Sequence, residues 1–288
     1  MNSQWSHRLV TSTFVVAWAL LGGTHAMRAQ APRIRYVSGQ NIQPVYEGWE
    51  QRKDGSYDLW FSYLNRNLGE DLIVPVGREN SMDPGGPDRG QPTYFYAGRR
   101  EFVFKVNVPK DFGKSELVWT LNVRGDSLKA VGSLMPVWQI NTQLIVSRTI
   151  QGARLDTLDQ NHPPTLALDP ITAVSLSGGA TLRAVVTDDG VPGPRPARPQ
   201  RAGGTPPPFM NAPLPAGPPG PPQGLSLAWM EYRGPAKVIF DPAGFSPVKS
   251  GEKAVATAKF SEPGTYELRA VAHDSILETT QNVTVTVK

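Results

Sequence analysis

Four oxygen-bearing side chains stand out in the second half of the chain: Asn161, the adjacent pair Asp188 and Asp189, and Asp274. Each falls where an alternating apolar stretch begins or ends. If those stretches are strands of one sandwich, the four should converge at one end of it. Carboxylates with an amide oxygen are hard donors of the kind calcium takes, and extracellular modules hold that ion with a Kd of about 10⁻⁴–10⁻³ M. The competing reading is an acidic turn that caps its own backbone amides. Calcium at Asn161, Asp188, Asp189 and Asp274 is the one cofactor the sequence suggests.

Signals for catalysis are poor. Of four histidines, His7 and His25 lie in an N-terminal leader, which leaves His162 and His273. There is no His-Glu-x-x-His helix, phosphate-cradling glycine loop or Gly-x-Ser-x-Gly elbow. His273 beside Asp274 has two residue types of a hydrolytic triad. As the last residue of an alternating strand, however, it reads as outward-facing. Glu47 with Glu50, and Glu70 with Asp71, are carboxylate pairs of the type that work on glycosidic bonds, but with no sign of a cleft they read as solvated surface. Trp49, Trp60, Trp119, Trp138 and Tyr46 either form a sugar-stacking face or fill a core, as large aromatics in sandwiches mostly do. Trp229 reads as core.

The elements that must position these residues are strands. Tyr57, Leu59, Phe61 and Tyr63 alternate with Asp58 and Ser62; Phe102, Phe104, Val106 and Val108 alternate with Val103, Lys105 and Asn107; and Leu117, Trp119, Leu121 and Val123 form a third stripe. This is the period of two that half-buried strands show. Val45–Glu50, Leu72–Val76, Leu128–Leu134 and Val137–Val146 read as further strands, and Asp54-Gly55 and Gly125-Asp126 as turns. A second series reads Leu166–Leu168, Ala173–Leu176, Thr181–Thr187, Leu225–Tyr232, Lys237–Phe240, Ala254–Phe260, Tyr266–His273 and Val283–Val287. The expected fold is all-β, two tandem immunoglobulin-like β-sandwiches at 33–147 and 165–288, with a linker at 148–164.

Two stretches interrupt this pattern. Gly77–Thr93 is either a binding loop in which Asn80, Asp83 and Asp88 hold a cation or polar ligand, or a long connection stiffened by proline. The stretch 190–224 contains thirteen of the 28 prolines, with Arg195, Arg198 and Arg201 and no acidic residue. Such a composition predicts a disordered, partly polyproline-II insertion. It is either a docking arm or a tolerated loop expansion.

The chain has 288 residues, a net charge of +4 and no cysteine. The positive charge is spread out, with no basic stripe or motif of a nucleic-acid reader. His7 and Arg8, the apolar run Leu9–Leu21 and the small residues up to Ala26 have the layout of a secretory signal peptide. That run is too short to span a bilayer, which needs roughly 20 residues. No second apolar run follows, so no membrane span is expected after cleavage at 1–26. Without disulfides the folded part must stand on packing alone.

The second series resembles the PKD-like branch of the immunoglobulin-like superfamily. The resemblance is carried by Asn161-His-Pro-Pro, Leu182-Arg-Ala-Val-Val-Thr-Asp188-Asp189-Gly-Val-Pro, Leu225-Ser-Leu-Ala-Trp229, Phe260-Ser-Glu-Pro-Gly-Thr-Tyr266 and the final Val-Thr-Val-Thr-Val-Lys288. It covers most of 161–288 outside the proline-rich stretch. It implies an extracellular spacer, adhesion or binding module. The family often has Asp-Gly where this chain has Asp274-Ser275, a departure at the expected cation site. Glu47-Gly-Trp-Glu50, Val74-Pro-Val-Gly77 and Pro84-Gly-Gly-Pro-Asp88-Arg-Gly-Gln-Pro-Thr93 resemble uncharacterised exported bacterial proteins, which implies export and no particular activity.

The expectation is therefore a periplasmic or extracellular, non-enzymatic binding, adhesion or envelope-interaction protein with a protein, envelope or glycan partner. An accessory carbohydrate-binding protein is the alternative, and a secreted hydrolase a distant third. Mass spectrometry of the exported protein should find a mature terminus between Met27 and Pro32. An intact Met1 in a membrane fraction would contradict this.

Overall fold

The protein is described by a computed structural model that covers residues 36–150, 155–171, 173–193 and 222–288. The expected signal peptide and most of the proline-rich stretch lie outside these residues. Arg35–Lys288 forms one contact unit, and its strands build two β-sandwiches.

The first sandwich contains β1 (Ile42–Gln51), β2 (Tyr57–Asn65), β3 (Leu72–Ile73), β4 (Asn80–Asp83), β5 (Tyr94–Phe95), β6 (Gly98–Val108), β7 (Glu116–Val123) and β8 (Asp126–Ser133). Antiparallel sheets of order β1-β2-β6 and β4-β7-β8 face each other, with the short β3-β5 pair beside them. The alternating residues meet between them: Leu59, Phe61, Phe104, Leu117, Trp119 and Leu121 are all buried. Trp119 is at the centre, edge-on to Phe61 and Phe104 and stacked near Phe95. Its indole N–H donates to Asn80 Oδ1 at 2.9 Å, so the polar tip of a fully buried ring is satisfied.

The expected strand over Val137–Val146 does not form. Pro136–Trp138 is a 3-10 turn and Thr142–Thr149 is a helix, α1, whose first turn is capped by Asn141 Oδ1 accepting from Leu144 N at 2.8 Å. Six of the ten residues over Val137–Val146 are apolar, but Val137, Trp138 and Leu144 are exposed, so little burial backs a strand and the cap decides. The segment folds back across β1 at Gly48, where φ is +138° and a Cβ would run into the Trp138 carbonyl.

The second sandwich contains β9 (Thr165–Leu168), β10 (Ala180–Thr187), β11 (Ser226–Arg233), β12 (Val238–Asp241), β13 (Ser246–Pro247), β14 (Lys253–Phe260), β15 (Gly264–His273) and β16 (Glu278–Val287). Its sheets have the orders β12-β14-β10-β9 and β13-β11-β15-β16. In chain order, the sheets without the two-residue β13 follow the A-B-E-D and C-F-G plan of an immunoglobulin-like sandwich. Tyr266, near the start of β15, donates its hydroxyl to Glu262 O at 2.8 Å, four residues upstream. This is the tyrosine corner of such sandwiches. Tyr266, Leu268, Ala270 and Ala272 face Leu182, Ala184, Ala256 and Ala258 in the core, and Trp229 is buried among them, as expected. Ala173–Leu176 contributes only an isolated bridge, Val174 to Val287.

The sandwiches join at the end of β11. A register shift between Glu231 and Arg233 frees Tyr232 from pairing with β15. Tyr232 turns away from its own core and is buried in that of the first sandwich. Its carbonyl accepts from Thr93 N at 3.1 Å, and its hydroxyl donates to Gly90 O. The Arg269 guanidinium lies 3.6 Å over its ring and donates to Val103 O at 2.6 Å. Next in the chain, Arg233 grips Asp88 with two nitrogens at 2.8 and 3.0 Å and Gln91 O with a third at 2.8 Å. The expected Gly77–Thr93 loop is thus interrupted by β4, and its part after that strand, through Asp88, Gly90, Gln91 and Thr93, is a clasp for the second sandwich.

Glu231, beside Tyr232, is 2% exposed. Its amide donates to Tyr96 Oη at 2.8 Å and its Oε2 accepts from Val238 N at 2.9 Å, while Oε1 has no partner. Burial pushes its carboxyl from the ordinary 4.5 up to about 8; the Val238 amide and Lys237 oppose this and the Asp71 charge adds to it. The folded protein therefore keeps a proton that the unfolded chain loses above 4.5. Stability contributed by this group is present below that value and is lost as pH rises through about 8. Glu231→Gln keeps the acceptor for Val238 N. Chemical denaturation across this range should show a downward slope for the parent protein and a flatter profile for the variant. Equal slopes would place the proton elsewhere.

Candidate functional site

Asn161, Asp188 and Asp274 come from three places in the chain. Asn161 ends the connection between the sandwiches, Asp188 follows the last residue of β10, and Asp274 follows the last residue of β15. Asn161 is 6% and Asp274 2% exposed. The fold holds each backbone firmly. Asn161 N donates to Thr157 O at 3.0 Å, and Asp188 N donates to Ser250 Oγ at 3.0 Å. Asp274 Oδ1 accepts from Ile276 N and Leu277 N, both at 2.7 Å, which closes a tight turn in which Ser275 has φ of +96°.

Asp188 Oδ2 accepts from Gly190 N at 2.9 Å, and the remaining side-chain atoms are left over. Among the described residues six buried side-chain nitrogens and oxygens lack a hydrogen-bond partner. Four belong to this group: Asn161 Oδ1 and Nδ2, Asp188 Oδ1 and Asp274 Oδ2. Buried polar atoms are nearly always paired, so a concentration of orphans at one place calls for a reason. The three side chains also sense one another. Burial pushes the Asp274 carboxyl up; the Leu277 and Ile276 amides and a weak hydrogen bond from the Asn161 side chain, too poorly aligned to satisfy either group, oppose this, and the Asp188 charge adds to it. Asp188 is raised as well, by burial first and then by Asp189, against the pull of the Gly190 amide.

Asp189 points elsewhere. Its Oδ1 accepts from Val191 N at 2.9 Å, and its Oδ2 meets His162 N at 3.1 Å and His162 Nδ1 at 3.0 Å. These bonds hold its carboxyl below the usual range, the Val191 amide foremost. The acidic-turn reading thus describes Asp189, whose two oxygens are both engaged, and leaves Asp188 Oδ1 and Asp274 Oδ2 unexplained. Among the described residues no three of His, Cys, Asp and Glu gather as a metal cluster. The group is two carboxylates and an amide, a mixed oxygen set. Ser250, which holds Asp188, has no sequence signal that would have singled it out.

The other chemistry-bearing residues are saturated or apart. His273 is 4% exposed, which overturns its reading as an outward-facing strand end. The loop before β13 covers it, with the Phe245 ring edge-on at 6.0 Å. Its Nδ1 accepts from Ser275 N at 2.9 Å, and burial lowers its pKa to about 4. It is thus neutral at pH 7, with the nitrogen a base would use already engaged. Glu47 is buried between Arg99 at 2.9 Å and Arg148 at 3.1 Å, and Glu50 accepts from Trp60 Nε1 at 2.8 Å. Glu70 pairs with Arg124, and Asp71 binds Tyr94, Ala97 N and Lys237. Asn80, proposed as a loop ligand, is in the core, and Asp88 belongs to Arg233.

The aromatic residues do not share a face. Trp49, Trp119 and Tyr46 are buried in the first core, whereas Trp138 is 43% exposed. Trp60 lies on the outside of the β1-β2-β6 sheet with Lys105 4.9 Å over its ring. Among the described residues no helix is long and apolar enough to cross a membrane.

No family model matches the chain, and no curated protein matches it. Among solved structures it is similar to the fibronectin(III)-like modules of Clostridium thermocellum CbhA, at 10% identity over 86% of this chain and 94% of that one, with a TM-score of 0.24. The D0-D1 domain of intimin is 11% identical over 85% and 97% of the two chains, with a TM-score of 0.24. The Yersinia pseudotuberculosis adhesin InvE is 9% identical over 85% of this chain and 58% of that one, with a TM-score of 0.25. At such scores these likenesses carry no argument about function.

The two aromatic environments make opposite predictions. Trp119→Ala should cost about 3–5 kcal/mol in unfolding free energy. Trp138→Ala, on the surface, should change it by no more than about 0.5 kcal/mol. Denaturant melts of the two variants measure this, and equal losses would refute the assignment of Trp119 to the core centre.

Proposed function

We propose that the chain is a non-enzymatic exported binding protein, and that calcium held by Asn161, Asp188 and Asp274 fastens its second sandwich to the connection leading into it. The observation that carries this reading is the set of buried, unpartnered oxygens on those three side chains. An unsatisfied buried polar group costs about 1–3 kcal/mol, and one cation is a partner that all three can share. Calcium takes carboxylate, amide and backbone oxygens together with waters and tolerates irregular arrangements, so the donor set fits. Such an ion would also offset the crowding of two carboxylates that burial already disfavours in charged form.

The non-enzymatic part rests on the state of the candidate catalytic groups. The carboxylate pairs are engaged by arginine, lysine or indole partners, and His273 is buried and neutral. Export rests on the signal-like N-terminus. The scattered aromatics give the carbohydrate-binding alternative no common platform. A protein or envelope partner is the role that a joined pair of sandwiches suits.

Calcium at tenfold over a Kd of about 1 mM should stabilise the protein by about 1.4 kcal/mol, read as a raised melting temperature against an EDTA control. Asp188→Asn should lose this gain. In EDTA it should be at least as stable as the parent, because it removes a partly buried charge. Terbium luminescence sensitised by the protein should decline with added calcium. An unchanged melting temperature with no terbium signal would reject the site.

A further inference from the structure

β16 is the outer strand of its sheet, and among the described residues most of its outer side has no partner. On its inner side it runs in unbroken register with β15, from Val287 opposite Gly264 to Glu278 opposite His273. On its outer side only the end is bonded: Val174 N donates to Thr286 O, and Lys288 N to Val174 O, both at 2.9 Å. These bonds fix the direction of the rest. Backbone groups alternate in direction along a strand, so Thr284, Asn282, Thr280 and Glu278 turn their amides and carbonyls outward as Thr286 does. Among the described residues no group of the chain bonds to the outward backbone of those four.

Such a row is a template for a strand of another chain. Proteins usually blunt it with lysine, proline, a bulge or a very short strand. Of the other long outer strands, β1 has Pro44 and a bulge between Tyr46 and Gly48, β8 carries Lys129, and β6 carries Arg99, Arg100 and Lys105, with its Val103 and Asn107 carbonyls accepting from Arg269 and Arg89. The remaining outer strands of the second sandwich, β9, β12 and β13, have four, four and two residues. β16 alone among these has ten residues, no bulge, no lysine and no proline. Thr280, Gln281, Asn282 and Thr284 on it are exposed.

We propose that β16 pairs antiparallel with β16 of a second copy of this chain, joining the two four-stranded sheets across a two-fold axis. The strand's own chemistry selects this occupant. Glu278 is its only ionisable side chain, and the rest of the free stretch is threonine, glutamine, asparagine and a half-buried valine. A highly charged strand would find one carboxylate at one end, and an apolar strand would face amides and hydroxyls. A two-fold near Gln281 sets Thr280 opposite Asn282 and Glu278 opposite Thr284, which are neutral or singly charged hydrogen-bonding pairs. Parallel pairing would set the two Glu278 carboxylates side by side. An isologous contact of this kind closes at two copies.

The chain has no cysteine, so any disulfide formed by a single engineered cysteine is intermolecular. Gln281→Cys in the full-length protein should give a covalent dimer on mild oxidation, while Thr257→Cys, exposed on β14, should stay monomeric. In sedimentation equilibrium the unmodified protein should approach twice its monomer mass as concentration rises. Thr280→Lys should remain at monomer mass with an unchanged melting temperature. The proposal is overturned if the unmodified protein stays monomeric up to its solubility limit. It is equally overturned if Thr280→Lys still dimerises, or if Thr257→Cys cross-links as readily as Gln281→Cys.

Discussion

Tyr232 belongs to the second sandwich by sequence and to the first by burial. Alternation from Leu227 and Trp229, which face the second core, turns Tyr232 the other way. The slip in the pairing of β11 with β15 leaves its backbone free to bond Thr93 while its ring enters the neighbouring core. Near it Arg233 reaches Asp88, Arg269 stacks on the ring, and Glu231 is buried where the sandwiches meet. A chain without disulfides has only packing and polar contacts with which to hold two sandwiches together, and this one concentrates both within three consecutive residues.

The same economy marks the far end of the second sandwich, with the opposite outcome. At the junction the polar atoms are matched, apart from Glu231 Oε1. At the end that gathers Asn161, Asp188 and Asp274 the backbone is tightly bonded while Asn161 Oδ1, Asp188 Oδ1 and Asp274 Oδ2 are not. Rigid main chain with unspent donors is what a preorganised ion site requires, since the cost of ordering the ligands is met by folding. Asp189, one residue away, shows what a self-capped aspartate looks like in this fold: both its oxygens are occupied and its carboxyl is held low.

Most strands were legible because the period of two is local and the core accepts it directly, as with Tyr57–Tyr63 and Tyr266–Ala272. The convergence of Asn161, Asp188, Asp189 and Asp274 was expected because strand ends of a sandwich gather at its poles; the structure sets Asn161 and Asp188 near Asp274 and turns Asp189 to His162 and Val191. What was not legible is non-local or finely balanced. Nothing near Asp88 announces Arg233, which lies 145 residues away. Val137–Val146 has apolar spacing compatible with a strand, and the Asn141 cap that tips it into a helix is a single side chain. His273 looked outward because alternation assigns it to the outer face; a loop over that face buries it.

The proline-rich stretch leaves the fold beside the acidic turn and returns beside Asp274. At its start, Gly190 N and Val191 N are held by Asp188 and Asp189; at its return, Gly224 N donates to Ser275 Oγ at 2.6 Å. Both roots therefore sit at the same pole of the sandwich, and strand pairing fixes the gap between them. The conformational cost of bringing them together is borne by the sandwich and grows by only about 0.6 kcal/mol for each doubling of the intervening length. Any stretch that spans these two roots without packing on the sandwich can be lengthened, shortened or recomposed almost without thermodynamic consequence, so the fold itself asks little of the sequence between them.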